Sequence, residues 1–289
     1  MNAREKNPAA FLRRHKRLSV LLAVVLALLI ALVLFHPKGT KTFLVLGMDN
    51  YGSLNDTGRS DVMMLLQVDF TKSKISAVTF ARDMIVNPGT GERKINAVVR
   101  SDGEEGISSL LEELFGVKVD GWFRVNFTTI IELVDALGGA QVELTAEEVA
   151  YLDRQCGKYP DAPLTEGLSR LNGAQALAYA RCRKLDNDMG RGQRQNKLLE
   201  ALVQSTKKLT LTKLVNVFNS LKHAWQSSYS AGEQVSLLYQ ALWLRGAKVE
   251  KIGVPFEGTW RYGNSNRGES GVIADTEKNR ELLLEALGR

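Results

Sequence analysis

The stretch LAYARCRKLDNDMGRGQRQNK, residues 177–197, sets Arg181, Arg183, Arg191 and Arg194 within fourteen positions, with Asp186 and Asp188 between them. A guanidinium stays charged at any working pH, and its planar fork matches phosphate oxygens two at a time. So many arginines beside apolar sequence either face solvent as a charge run or fold inward around an anion. Helical spacing favours the second reading. After Gly190, the residues Arg191, Gln195, Leu198 and Leu202 recur at i, i+4, i+7 and i+11 and share one face. That face is apolar lower down, so it meets the core. Its first turn then presents Arg191 and Gln195 inward, where a helix N-terminus also favours anions. Arg181 and Arg183 lie two apart and share a side if the chain is extended there.

A second concentration lies in GMDNYGSLNDTGRSD, residues 47–61, which carries Asp49, Arg59 and Asp61. Arg82 and Asp83 follow in VTFARDMIV, and Lys94 and Asn96 in ERKINAV. Two aspartates without His or Cys suit a hard cation. Mg2+ is commonly held by one or two carboxylates with waters and substrate phosphate oxygens. Arginines beside such a metal suit a phosphate ester. The bland alternative is solvated loop carboxylates and, for Lys94, an ordinary surface lysine.

These groups act together only if the strands converge. TFLVL (42–46) reads as a buried strand ending before Asp49, DVMMLLQVDF (61–70) as a second, and KISAVTF (74–80) as a third. A loop joins the first two, so Asp49 and Asp61 belong to one end of the sheet. A hairpin across TKSK returns the third strand to that end with Arg82 and Asp83. Residues 107–115 and 127–137 show helical spacing, the latter closed by Gly138-Gly139. Asn172 is placed to cap a helix through Tyr179, and 192–207 reads as a helix. Short strands are expected at 122–126 and 140–144. The last part predicts a helix near 232–244, a strand at 248–254, a loop, and a final helix from Asp275. Strands and helices alternate throughout, so the predicted class is α/β, a single α-β-α domain about a central mixed sheet.

The chain has 289 residues and a formal net charge of +6. Six basic residues and one acid fall in residues 1–17, leaving a nearly neutral remainder of 32 basic and 31 acidic residues. The high pI belongs to that tail, which argues against a nucleic-acid partner. Residues 18–35, LSVLLAVVLALLIALVLF, are eighteen in a row without charge, long enough to span a bilayer as one transmembrane helix. Basic residues precede it, so the tail is expected in the cytoplasm and the rest outside, at the cell membrane. A cleaved signal peptide is the rival, but LFHPKG offers no small-x-small cleavage site. The expected organisation is a tail at 1–17, an anchor at 18–35, a linker at 36–41 and one domain at 42–289. Cys156 and Cys182 allow a single internal disulfide, permitted outside the cytoplasm. No zinc spacing, nucleophile elbow, phosphate-cradling Gly-x-x-x-x-Gly-Lys or dinucleotide fingerprint occurs.

FLVLGMDNYG…GRSDVMMLLQVD, VTFARDMIV, KINAV, VNFTTIIELVDALGGAQVEL, LNGAQALAYARCRK and DMGRGQRQNKLLEAL together resemble the LytR-CpsA-Psr family, and PFEGTWRYGN…GVIADTEKNRELL resembles its C-terminal part. The resemblance implies a membrane-anchored phosphotransferase. It would move a glycopolymer from a polyprenyl-pyrophosphate carrier onto peptidoglycan, with teichoic acid and capsule polysaccharide as typical cargo. It implies Mg2+ held by Asp49 and Asp61. It implies pyrophosphate contacts from Arg59, Arg82, Lys94, Arg181, Arg183, Arg191 and Gln195. The groups nearest the chemistry would be Arg82, Asp83 and Arg59, with Asp83 paired to Arg82. Ala81 departs from the proline usual there. A sensor that binds polyprenyl phosphate, or a pyrophosphate hydrolase, is the alternative.

Overall fold

The computed structural model describes residues 37–48, 60–157, 163–182, 184–185, 188–207, 209–244 and 246–289. The expected anchor at 18–35 lies outside these, and so do Asp49, Arg59 and Arg183. Among the described residues no helix is long and apolar enough to cross a membrane. Residues 39–289 form one compact unit.

The elements run β1 (Thr40–Met48), β2 (Ser60–Asp69), β3 (Lys74–Phe80), β4 (Ile85–Val86), β5 (Arg93–Lys94), α1 (Ile95–Phe115), β6 (Gly121–Val125), α2 (Phe127–Ala136), β7 (Ala140–Leu144) and α3 (Ala146–Cys156). They continue as β8 (Gly167–Leu171), α4 (Gly173–Arg181), α5 (Asp188–Lys207), α6 (Leu211–Leu221), β9 (Trp225–Ser227), α7 (Ala231–Ala241), β10 (Lys248–Val254), β11 (Trp260–Asn264), β12 (Ser270–Ala274) and α8 (Thr276–Ala286). Among the described residues six strands form a mixed sheet in the order β10-β3-β2-β1-β6-β9. β1 runs antiparallel to β2 and parallel to β6, and β10 runs parallel to β3.

Strand alternation builds two faces. Leu44, Leu46, Met63, Leu65, Val78 and Phe80 face α1 and α8, where Ile107, Leu111, Phe115 and Leu283 complete one core. Fully burying one such side chain contributes roughly 1.5–3 kcal/mol. The opposite face packs Phe43, Leu66 and Val68 with Val203 of α5, so the sheet lies between helical layers. A separate cluster joins α2 to α5 over the antiparallel β7–β8 pair: Val134, Val142, Leu152, Ala176, Tyr179, Leu198 and Ala201.

Capping fixes most helix starts. Asn126, Thr145 and Asn172 each form a capping box with the residue three positions on, and Asp275 caps α8. α1 is longer than its apolar spacing predicts. It begins at Ile95 and breaks direction at Gly103, whose φ of 69° is open to glycine. The loop expected between β10 and α8 instead holds the β11–β12 hairpin.

The expected disulfide is absent; both thiols are free. The Cys156 Sγ lies 3.7 Å from the Ala174 carbonyl oxygen, at the start of α4. Cys182 lies buried past the other end of that helix. Eight residues of helix separate Ala174 from Cys182, about 12 Å, beyond what a disulfide spans. Burial pushes the Cys156 thiol above its usual range.

Candidate active site

The sheet topology brings several strand ends to one edge. Register places Met48 against Ser60, Gly47 against Val125, and Val254 against Phe80. The C-terminal ends of β1, β3, β6 and β10 and the N-terminal end of β2 therefore share one edge. Asp61 follows Ser60 in β2 at that edge, and Asp49 lies outside the described residues. The β1–β2 register shifts here: Val62 opposes Gly47 and Ser60 opposes Met48, which leaves Asp61 as the extra residue of a bulge. The buried Ser60 fastens the bulge by donating from Oγ to the Val62 carbonyl at 2.6 Å.

Arg82 and Asp83 form the turn that leaves β3, and main-chain bonds hold that turn from several sides. The Ala81 amide donates to the Val254 carbonyl at 2.8 Å, and the Asn96 amide to the Arg82 carbonyl at 3.3 Å. The Val272 amide of β12 donates to the Asp83 carbonyl at 3.0 Å. Gly271 permits this approach, because a Cβ there would meet the Asp83 oxygen and lie 2.7 Å from Ile85 Cδ1. Lys94 pairs with Ile85 across β4–β5. Its amide donates to Glu269 Oε2 at 3.3 Å, so the hairpin turn grips the strand that carries it. Arg82, Asp83 and Lys94 thus share one rim, half-buried.

Arg181 reaches the same edge from the helical side. It closes α4, and its guanidinium carbon lies 4.0 Å from the centre of the Phe127 ring, a cation–π contact. Phe127 begins α2 two residues past the end of β6, beside the end of β1. Cys182 is extended, as required for Arg181 and Arg183 to share a side. Arg191 lies in the first turns of α5, with its side chain outside the described atoms; Gln195 is half-buried and Leu198 buried, as their shared face predicts. Gln195 Nε2 donates to the Ala180 carbonyl at 3.4 Å.

Sequence reasoning passed over two contributors. Arg194 is 4% exposed and donates from Nη2 to the Cys182 carbonyl at 2.8 Å. Its Nη1 lies 3.6 Å from Glu148 Oε1 of α3. Its signal was present: Arg194, Leu198 and Ala201 recur at i, i+4 and i+7. Burial, and then the Glu148 carboxylate, push the neighbouring Tyr179 phenol up. The other omission is the β11–β12 hairpin, legible only as two short apolar runs around SNRGE.

A cavity of about 660 Å³ opens elsewhere, along the later turns of α5, lined by Gln141, Leu168, Arg170, Lys197, Gln204 and Lys213 among others. It shares no residue with the strand-end cluster. Among the described residues the strand ends gather Arg82, Asp83 and Lys94.

Fold and site define a class: an α/β domain whose mixed sheet lies between helical layers and carries basic residues at one strand-end rim. Residues 12–281 match the LytR_cpsA_psr family, and the chain belongs to that family. It is similar to the polyisoprenyl-teichoic acid–peptidoglycan teichoic acid transferase TagU of Oceanobacillus iheyensis, 28% identical over 261 residues that cover 86% of this chain and 75% of that protein. TagT of Bacillus subtilis, named for the same transfer, is 32% identical over 181 residues, 61% of this chain and 56% of TagT. A solved structure of TagT with bound octaprenyl pyrophosphate lipid superposes with a TM-score of 0.65 at 24% identity, over 87% of this chain and 92% of that one, and shows the shared fold.

Proposed function

We propose that this protein is a phosphotransferase that moves a glycopolymer from a polyprenyl-pyrophosphate carrier to peptidoglycan at the outer face of the cell membrane, to which residues 18–35 anchor it. One observation supports the reading: among the described residues, Arg82, Asp83 and Lys94 lie at the sheet edge that the ends of β1, β3, β6 and β10 share, and Arg181 lies over Phe127 just past the end of β6. The transferase names of TagU and TagT support it.

The diphosphate of the carrier lies along the rim. Arg82 and Lys94 approach it from the strand side, Arg181, Arg183, Arg191 and Gln195 from the helical side, and Arg59 from the β1–β2 connection. A hydroxyl of the peptidoglycan acceptor attacks the sugar-linked phosphorus. A new P–O bond forms, the bond to the bridging oxygen breaks, and polyprenyl phosphate leaves with that oxygen. The protein's work is positioning and stabilising charge that grows on the phosphoryl oxygens. Asp83 either steadies Arg82 or receives the hydroxyl proton; an Asp83→Asn variant that keeps its turnover assigns it to the first role.

Two aspartates with neither His nor Cys beside them in the sequence suit Mg2+, a hard cation that takes oxygen ligands. Asp49 and Asp61 would hold the ion, which when bound supplies charge neutralisation to the phosphate oxygens.

Purified full-length protein incubated with a lipid-linked glycan, Mg2+ and peptidoglycan oligomers tests the proposal. Ligated product is expected. Release of free glycan phosphate instead would establish a hydrolase, and lipid binding without either product a sensor. Full turnover by Arg82→Ala and Asp61→Ala variants would remove this mechanism.

A further inference from the structure

We propose that Arg194 is a positioning residue for the anion rim: from inside the core it fixes the main chain that carries Arg181. The inference rests on the polyprenyl-phosphate reading above and concerns how its helical half is built.

α4 ends at Arg181, so the carbonyls of its last turn lack helical partners. α5 supplies them from consecutive residues. Gln195 donates to the Ala180 carbonyl and Arg194 to that of Cys182. The two held carbonyls bracket Arg181. With its guanidinium over Phe127, Arg181 is fixed through both main chain and side chain.

The arrangement is costly. Arg194 and Glu148 have side chains 5% and 9% exposed, and a buried ion pair is often no more stable than apolar residues of the same volume. Stability alone therefore does not explain a guanidinium here. Geometry does: a planar fork meets a carboxylate with one nitrogen and a carbonyl with another, which a lysine ammonium cannot do in the same fixed plane. Glu148 is in turn held rigid, because its Oε2 accepts from the Thr145 amide at 3.0 Å within the capping box of α3. The chain of control runs from the α3 cap through Glu148 and Arg194 to the Cys182 carbonyl, and from there to Arg181.

The test uses the full chain in detergent micelles, titrated with octaprenyl phosphate. Arg194→Met combined with Glu148→Gln removes both buried charges, so neither is left uncompensated, and melting should stay within several degrees of the parent protein. Affinity should fall about tenfold, and amide hydrogens of residues 181–185 should exchange faster without any ligand. In an Arg181→Ala background the same pair of changes should weaken binding less than about threefold, because the residue through which Arg194 acts is gone. A merely structural role predicts equal loss in both backgrounds. That result, or undiminished affinity in the folded double variant, overturns the proposal. Failure of the parent reading is distinguishable: the unaltered protein would take up no octaprenyl phosphate, and the positioning role would fall with it.

Discussion

The rim has two halves, and they are held by different chemistry. On the strand side, Arg82, Asp83 and Lys94 are placed by backbone hydrogen bonds from β10, β12 and the start of α1, and by a carboxylate on a backbone amide. On the helical side, Arg181 is placed by side chains: Gln195 and Arg194 on the carbonyls around it, and Phe127 beneath it. The cores differ to match. Beneath the strand half lies an apolar cluster of Leu, Ile, Val, Met and Phe, whereas the helical cluster surrounds the buried Arg194–Glu148 pair. A main-chain scaffold tolerates exchange of its side chains but not a shift of its backbone. A side-chain scaffold can be dismantled one residue at a time.

The largest expected effect treats both halves as one site. Arg82→Ala should lower transfer about a hundredfold or more, as loss of one charge-stabilising group does, while changing the melting temperature by no more than about 2 °C. A variant that transfers normally would detach the strand half from the chemistry. Glycines come next. A Cβ at Gly173 would run into the Ile131 main chain, lying 2.7 Å from its Cα, and neither backbone can yield cheaply. Gly173→Ala should destabilise the protein by about 3 kcal/mol, measured by denaturant unfolding. Gly271→Ala should cost less, about 1–2 kcal/mol, because the Ile85 side chain can move; it should cost more turnover, because the hairpin shifts against Asp83. The reverse ranking would break the contrast.

A smaller effect isolates the helical half. Phe127→Leu removes the ring under Arg181 and should weaken polyprenyl-phosphate binding about two- to fivefold, the size of an exposed cation–π contact. The smallest lies outside the rim and serves as a control. Tyr229 packs against Phe43 and Phe123 on the sheet, and burial followed by the Asp120 carboxylate pushes its phenol up to about 12. A raised folded pKa means stability held below the ordinary value of 10.0 and lost as pH rises from there towards 12. The melting temperature should decline across that window, and Tyr229→Phe should make the decline shallower. A profile identical in the variant would remove Tyr229 as its source.

Legibility divides along the same line. β1, β2 and β3 follow from their apolar runs, and the hairpin that returns Arg82 to the edge follows from TKSK. The inward face of α5 follows from the spacing of Gln195 and Leu198. The β11–β12 hairpin did not, since five-residue strands around a polar turn carry little periodicity. Arg194 did not either. A charge within a dense run reads as solvated until the burial of Leu198 and Ala201 beside it is known. The unformed disulfide fails for a related reason, because cysteine pairing depends on which end of α4 each thiol meets.

The sequence by itself determined the mixed α/β class, the cap of α4 and the start of α8, and where the basic residues concentrate along the chain, because local periodicity and side-chain chemistry are properties of the chain alone. Only the tertiary structure decided which of those residues share an edge, that β12 and Glu269 hold Asp83 and Lys94, and that one arginine among many turns inward to a carbonyl. Those depend on strand order, register and burial, which arise from contacts between segments far apart in the chain.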